Sequence, residues 1–241
     1  DAQPPSAHNK EGSTKNNEEY EQELYHAFRL WAGPKYGNLV FTSSTAVYGD
    51  SFGNTVDEKF RTDVRTLRAS RAVSAEHAIL ARGGSVVRLA GLYSKNRGPH
   101  TYWLRAGEVK GDSEGKINLL HYEDAAGVVI AALKSPLRRQ VYLASDDQPV
   151  SRQEICEAAL MSGEFPEANM PIFVAQNAGR GKRTDSSWTR GVLQWTPKHV
   201  SFPAYMYGLA GLTYEPEKKL DSGSLLLGGF EDDDIDFDIQ L

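Results

Sequence analysis

Hydroxyl side chains follow a short apolar run near residue 40. Leu39–Phe41 has the character of a buried strand, and Thr42–Ser44 come directly after it. Parallel sheets bind their ligands in the crevice at the carboxyl ends of their strands. Hydroxyls at that place can polarise a substrate or contact a cofactor, and they can equally satisfy the backbone where the strand becomes a loop. Both interpretations of Ser43 and Ser44 stay open at this point.

Histidine and cysteine offer little further chemistry. His100 and His121 have no partner at ligand spacing, so we predict no metal site and interpret both as satisfied polar residues near a cleft. Cys156, the only cysteine, cannot form an internal disulfide and lies in a helical pattern. We therefore expect it to be a small buried hydrophobe, in a reducing compartment.

Helices and strands alternate around these residues. Apolar side chains recur at helical spacing over residues 20–31 and 72–80. Each pattern ends at glycine and is followed by a short apolar strand, at residues 39–41 and 85–90 respectively. This alternation predicts an α/β fold with a parallel sheet.

The later elements extend the same arrangement. Asp124 is predicted to cap a helix that runs to Leu133, and Ser151 and Glu154 have the spacing of a capping box for a helix through Ala159. The remaining predicted elements are an extended segment at 117–120, strands at 140–143 and 171–174, and a short helix at 187–193.

Four motifs resemble those of the extended short-chain dehydrogenases and nucleotide-sugar epimerases, in the same order and spacing. They are Val40–Gly49, Val87–Tyr93, Asn96–Gly98 and His121–Ala126. The resemblance covers about residues 3–205 and is closest to atypical epimerase-like Rossmann proteins of bacteria and plant plastids. It implies a partial Rossmann-like doubly wound parallel sheet with a small C-terminal substrate-type lobe, an acidic disordered tail, and a plastid (chloroplast) location.

The resemblance also implies roles for individual residues. Ser44 matches the hydroxyl that polarises the substrate and is the candidate catalytic residue. Arg97 resembles an arginine that contacts the diphosphate or sugar of a substrate, although an exposed loop arginine is the alternative. The candidate substrate-binding residues are Tyr48, Arg97 and His121, and the candidate cofactor-binding residues are Pro4, Pro5, Ser6, Thr42, Ser43, Leu89, Ala90, Gly91 and Leu92.

Two features depart from that family. Counting back from Glu76, Arg68 stands where the catalytic Tyr belongs and Ala72 where its Lys belongs. Arginine cannot shuttle a proton near neutral pH, and alanine carries no charge that would lower the pKa of a phenol. The sequence also lacks a Gly-x-Gly-x-x-Gly turn between a strand and a helix. Within the basic Gly-rich run at 179–183, we interpret Gly179–Gly181 as a surface loop. NAD or NADP binding is therefore expected only if an N-terminal half is present.

These departures favour a non-catalytic or degenerate protein that acts as a binding or assembly subunit, because a fold does not by itself carry activity. The alternative is an atypical NAD(P)-dependent oxidoreductase or epimerase that acts on a nucleotide-sugar-like small molecule. A third possibility is redox or nucleotide sensing without turnover. The strand at Leu39–Phe41 would expose a hydrophobic edge, so we expect the missing half, or another polypeptide, to cover it.

Charge and hydrophobicity exclude other classes. The net charge of −5 and the pI near 5.7 give no reason to expect a nucleic-acid partner. The longest apolar run, Val128–Leu133, has six residues, so we predict an intracellular soluble protein without a membrane span. The chain starts at Asp1 without a targeting pattern, and we expect a processed, trimmed or incompletely represented product.

Composition divides the chain into three parts. Residues 1–17 are polar and predicted to be loop, and residues 18–213 form the C-terminal part of the Rossmann-like domain with its small lobe. Residues 214–241 form an acidic flexible tail. The alternative for the tail is a docking peptide, because Ile235, Phe237 and Ile239 alternate with carboxylates and can add a strand to the sheet edge of a partner.

Overall fold

The computed structural model describes residues 26–35, 37–174 and 181–216. The predicted loop at 1–17, with Pro4, Pro5 and Ser6, and all but the first residues of the acidic tail lie outside these ranges. The predicted first helix is described only at residues 26–30, which are helical. In the described ranges, no helix has the length and apolar character needed to cross a membrane.

The described chain is a succession of short strands and helices. The strands are β1 (Val40–Ser44), β2 (Thr55–Val56), β3 (Ser85–Leu89), β4 (Gly91–Tyr93), β5 (Glu108–Lys110), β6 (Lys116–Ile117), β7 (Leu119–His121), β8 (Val141–Ala144), β9 (Val150–Ser151), β10 (Ile172–Val174) and β11 (Arg183–Thr184). The α-helices are α1 (Leu67–Ala81), α2 (Pro99–Ala106), α3 (Tyr122–Lys134), α4 (Arg152–Met161), α5 (Ser187–Leu193) and α6 (Phe202–Leu209).

The central sheet has three parallel strands in the order β1-β3-β8, which confirms the predicted α/β fold. All five residues of β3 are buried, as expected for a strand with a neighbour on each side. Helices α1 and α3 pack against the sheet, and Val87, Val128 and Tyr142 are fully buried in its main cluster. Burying side chains of this size stabilises the fold by about 1.5–3 kcal/mol each.

Strand β1 lies at the edge of this sheet. It pairs with β3 in the register Val40 to Ser85, and no other described strand pairs with it. Phe41 is half-buried and Thr42 is exposed. Within the described part of the chain, the outer backbone edge of β1 is therefore open, as the sequence predicted.

The extended segment predicted at 117–120 is two strands rather than one. Ile117 ends β6, which pairs antiparallel with β9, whereas Leu119 begins β7, which pairs parallel with β4. Asn118 separates them because its carbonyl accepts a hydrogen bond from Gly91 N. Its side chain bonds the backbone of Lys182 and Thr184, so the residue joins three segments at one point.

The prediction that Asp124 caps helix α3 is wrong. The N-cap is His121, whose Nδ1 accepts from Glu123 N at 3.2 Å. Asp124 lies inside the first turn and is buried, where its carboxylate accepts the backbone N–H groups of Lys198 at 2.6 Å and His199 at 3.0 Å. It therefore anchors the segment that leads into α6.

The capping box of helix α4 is confirmed. Ser151 Oγ accepts from Glu154 N at 3.0 Å, and Ser151 N donates to Glu154 Oε2 at 2.6 Å. Ser151→Ala is expected to lower the free energy of unfolding by about 1 kcal/mol, because one N-terminal N–H of the helix loses its acceptor. Urea denaturation followed by circular dichroism measures this change. The control is Ser74→Ala at an exposed position inside α1, which should be neutral or slightly stabilising, and an equal loss in both variants would contradict the capping role.

Candidate functional site

A cleft of about 580 Å³ opens at the carboxyl end of β1, beside the start of β4. Ser44 and Gly91 line its sheet side. Four cationic side chains, which define what we call the basic cleft, line the rest: Lys110, Lys116, Arg152 and Lys182. Asp50 is the one carboxylate among the lining residues, so the described part of the cleft is strongly positive.

Two of these cations form no close ion pair with a described carboxylate, although Asp50 in the same cleft partly offsets the lowering of their pKa values. Arg152 Nη1 donates to the backbone carbonyl of Asp112 at 3.1 Å, and Lys182 Nζ donates to the carbonyl of Gly49 at 2.6 Å. Neither side chain takes part in an ion pair with another described residue, whereas Lys116 pairs with Glu154 at 3.2 Å. Burial lowers the pKa of both Arg152 and Lys182. An anionic group in the cleft would offset this loss of hydration.

Three glycines near the cleft have no side chain and so leave room for the groups packed beside them. A Cβ at Gly111 would lie 3.1 Å from the Arg152 guanidinium, and one at Gly115 would clash with it. Gly181 has a φ of +76° and forms a bridge to Lys116, and a Cβ there would clash with the Lys116 carbonyl. The chain after Gly181 is thus directed along the cleft, with Lys182 in its wall.

The hydroxyls after β1 take part in local hydrogen bonds. Ser44 Oγ accepts from Ala46 N at 3.1 Å and caps the 3-10 helix Thr45–Tyr48. Ser43 Oγ donates to Glu76 Oε1 at 2.5 Å. The structure therefore bears out the backbone-satisfying interpretation for Ser44, which also lines the basic cleft. A catalytic role for Ser44 and cofactor contacts by Ser43 and the exposed Thr42 stay predictions.

A buried polar network lies beneath this point. Arg88 Nη2 pairs with Glu76 Oε2 at 2.7 Å, and Arg88 Nη1 donates to the phenol oxygen of Tyr48 at 3.1 Å. Burial, partly offset by Arg88, raises the pKa of Tyr48 to about 12. Tyr48 is only 2% exposed and packs edge-on against Phe60. Its contact with a substrate stays a prediction, whereas its role in packing is shown.

Helix α1 carries no acid–base pair at the positions that the resemblance indicates. Arg68 is exposed near the start of the helix, and Ala72 packs beside the cluster that contains Val47 and Tyr48. The side chains at these two positions therefore contribute charge at the surface and packing volume, respectively.

Four further predicted site residues lie where β3 ends and β4 begins. Leu89 and Ala90 are buried in the main cluster, and Leu92 packs against it. The backbone N–H groups of Ala90 and Gly91 donate to Ala144 O at 2.9 Å and Asn118 O at 3.0 Å. Contacts of Leu89, Ala90, Gly91 and Leu92 with a cofactor stay predictions.

Arg97 is exposed. Its guanidinium lies 5.1 Å from the centre of the Tyr122 ring. This cation–π geometry holds the side chain beside the first residue of helix α3. Its predicted contact with a substrate stays a prediction.

His121 is not isolated, contrary to the sequence-based expectation. Its ring lies 3.8 Å from that of His199, and one ligand atom from each of His121, Asp124 and His199 can be chosen within 4.8 Å of the others. However, His121 Nδ1 accepts a hydrogen bond from Glu123 N, so the proton of the neutral ring is on Nε2. In this tautomer neither ring nitrogen has a free lone pair for a metal ion. Both Asp124 oxygens also accept backbone N–H groups. The cluster is therefore arranged as an anchor for the 198–205 segment, and burial lowers the pKa of His121.

The basic cleft itself was missed from the sequence. Its cations are spread over residues 110–182, and only the basic run at 179–183 signalled them. Lys182, which follows the predicted surface loop Gly179–Gly181, is half-buried in the cleft wall. Residues 179 and 180 lie outside the described ranges.

Comparison with known proteins places this geometry in a class. No family model matches the chain. Protein YeeZ of Escherichia coli K12 is 30% identical over 156 residues, which is 62% of this chain and 54% of that protein. The chain thus spans about half the length of the curated relatives it matches.

Solved structures match more of the chain. A functionally unknown conserved protein from Silicibacter pomeroyi DSS has a TM-score of 0.61 and 26% identity over 73% of this chain and 67% of that one. MoeE5 in complex with UDP-glucose and NAD has a TM-score of 0.60 and 18% identity, over 72% and 62% of the two chains. A dTDP-glucose 4,6-dehydratase from Bacillus anthracis in complex with NAD has a TM-score of 0.60 and 17% identity, over 83% and 64%.

The chain therefore shares its fold with these structures, which include a nucleotide-sugar dehydratase in complex with NAD. The resemblance seen in the sequence is confirmed for the fold, and the described residues supply three parallel strands of its central sheet.

Proposed function

We propose that this chain is the substrate-binding part of a dinucleotide-fold protein, that it binds a nucleoside-diphosphate sugar or a similar anion in the basic cleft, and that it does so without acid–base catalysis. One observation carries the proposal: Arg152 and Lys182 are half-buried in a cleft where Asp50 is the one carboxylate among the described lining residues, and neither cation forms an ion pair within 4 Å with a described residue. A buried cation without a partner is costly, and a diphosphate group supplies several charge-assisted hydrogen bonds at once.

The size of the cleft supports this class of ligand. Small-molecule sites usually enclose about 300–1,000 Å³, and the cleft has about 580 Å³. Its cationic wall suits a diphosphate, whereas Ser44 and the backbone at Gly91 offer polar contacts to a sugar. The complex of MoeE5 with UDP-glucose and NAD shows that a related fold takes a ligand of this kind.

Catalysis in the manner of the family is disfavoured by two observations. Arg68 and Ala72 replace the proton-transferring Tyr and its Lys. Tyr48, the phenol nearest to Ser44 in sequence, is held by Arg88, and its pKa of about 12 is far from the value that a general acid or base needs near neutral pH. The alternative is an atypical oxidoreductase or epimerase, for which conversion of UDP-glucose to a product on mixing with the protein and NAD would be the evidence. A net change in nicotinamide absorbance would indicate the oxidoreductase, because an epimerase returns the hydride to its substrate.

The described residues offer few groups that could bind a dinucleotide. Gly91 lines the cleft without a side chain, but its N–H and that of Ala90 are bonded within the protein. The Gly-rich turn that holds the pyrophosphate does not occur in this sequence. When bound, NAD or NADP would supply hydride transfer, and we propose its binding only together with an N-terminal half.

Assembly is a second candidate function. The open backbone edge of β1 supports it, because such an edge readily accepts a further strand. We propose that a further strand, from outside the described residues or from another polypeptide, pairs there. Plastid location stays a prediction from the resemblance.

Isothermal titration calorimetry with UDP-glucose tests the proposed function. Lys182→Met and Arg152→Met are each expected to weaken binding by about 10- to 150-fold, because each removes a charge-assisted hydrogen bond worth about 1.5–3 kcal/mol. Lys134→Met is the matched control, since Lys134 is exposed on α3 outside the cleft. Absence of binding to the unmodified chain, or equal affinity in all four proteins, would refute the proposal.

A further inference from the structure

We propose that the acidic segment 231–239 of this chain binds in its own basic cleft and competes there with the anionic ligand. The inference rests on the proposed function only for the identity of the ligand that is displaced. Its support comes from the charge of the cleft, the position of the last described residues, and the length and pattern of the chain between them.

The charges are complementary. Four cations line one cleft, and two of them, Arg152 and Lys182, have only backbone carbonyls as hydrogen-bond partners among the described residues. Residues 231–238 contain one Glu and five Asp, with no cation among them. An acidic peptide can therefore supply the missing partners, with the most favourable pairs at the half-buried cations.

The described chain ends beside the cleft wall. After helix α6, the Tyr214 ring packs edge-on against Tyr207 with ring centres 5.3 Å apart. Burial, and then the nearby Glu154 carboxylate, raise the pKa of Tyr214. Glu154 in turn pairs with Lys116, which lines the cleft. Near its described end the polypeptide therefore passes, at Tyr214, close to the carboxylate that pairs with Lys116.

The connecting segment is long enough to reach. Fifteen residues lie between Pro216 and Asp232, so sixteen residue-to-residue steps join them. A flexible chain of that length has a root-mean-square span of about 20–24 Å, and its extended limit is about 50 Å. Tethering at this distance gives an effective concentration of the order of millimolar, so even a weak peptide–cleft contact would be well populated.

The acidic pattern has a period of two. Asp232, Asp234, Asp236 and Asp238 alternate with other residues. In an extended peptide these four carboxylates would lie on one side at intervals of about 6.5–7 Å, with Glu231, Asp233, Ile235 and Phe237 on the other side. Such a peptide can present several carboxylates to the cations of the cleft at once.

The test compares the 241-residue chain with a variant in which Asp232, Asp234, Asp236 and Asp238 are replaced by Asn. UDP-glucose is titrated into each protein by calorimetry at low salt. We expect about tenfold tighter binding to the variant, because the tethered competitor has lost its charge. The difference should vanish at 1 M salt, where the Debye length is about 3 Å. Equal affinities at low salt would overturn the inference.

A peptide experiment separates this inference from the proposed function. A synthetic peptide of residues 229–241 is added to the tail-neutralised variant, and the same peptide with Asn at the four Asp positions is the matched control. We expect only the acidic peptide to bind, and binding should be lost with Lys182→Met and Arg152→Met. Peptide binding without UDP-glucose binding would contradict only the proposed function. UDP-glucose binding without peptide binding would contradict only the binding of segment 231–239 in the cleft.

Discussion

Replacing Glu76 by Ala is expected to cost about 3–5 kcal/mol in the free energy of unfolding, because the Arg88 guanidinium is left buried without its carboxylate partner. The two side chains are 2% and 7% exposed and are joined by hydrogen bonds of 2.7 and 3.1 Å. Ser43 Oγ would lose its acceptor in the same variant. Urea denaturation followed by fluorescence measures the loss.

Three further variants make this prediction discriminating. Glu76→Gln keeps the shape and some hydrogen bonds, so it should lie between the unmodified chain and Glu76→Ala. The double variant Glu76→Leu with Arg88→Met removes both charges and should recover much of the loss. Glu157→Ala, at an exposed position on α4, is the control and should change stability by less than about 0.5 kcal/mol. A cost below about 1 kcal/mol for Glu76→Ala would contradict the role of the pair.

Raising the pH from 4 to 8 is expected to destabilise the fold through Asp146. This residue follows β8, is only 4% exposed, and has one carboxyl oxygen, Oδ2, without a described hydrogen-bond partner. Burial raises its pKa to about 8. The folded state therefore holds the proton more tightly than the unfolded state. The contribution of Asp146 to the free energy of unfolding is constant below the unfolded pKa near 4. It falls between about pH 4 and 8 and is constant again above pH 8.

The loss is at most about 1.4 kcal/mol per pH unit, or up to about 5 kcal/mol in all. Asp146→Asn provides the test because the amide is isosteric with the neutral acid, and its oxygen can still accept from Gln148 N as Oδ1 does at 2.9 Å. The variant should match the unmodified chain at pH 4 and be more stable at pH 8. Asp185→Asn is the control at an exposed position on the loop before α5. Equal pH profiles for Asp146→Asn and the unmodified chain would exclude a neutral Asp146.

Periodic features of this fold could be predicted from sequence. The strands at β1, β3 and β8 and the capping box of α4 follow from local hydrophobicity and side-chain type, and the structure confirms them. The end of β6 could not be predicted in this way, because Asn118 divides the extended segment through bonds to Lys182 and Thr184. Such bonds join residues more than 60 positions apart and leave no local pattern.

The site was less predictable than the fold for the same reason. His121 and His199 meet across 78 residues, and the Arg88–Glu76 pair joins a strand to a helix. The cations of the basic cleft lie on β5, β6, α4 and the segment before β11, so no single sequence motif indicates the cleft. Burial decides which of these charges are unusual, and burial is set only when the chain folds.

The two glycines beside Arg152 also bear on how this protein can tolerate change. Gly111 and Gly115 have no side chain, and the guanidinium occupies the space that a Cβ at Gly115 would need. A substitution at Gly115 would therefore alter the electrostatic field of the cleft while leaving every charged residue in place. The atom in the way is the far end of a flexible side chain, so a substitution at Gly115 would move the Arg152 charge rather than remove it.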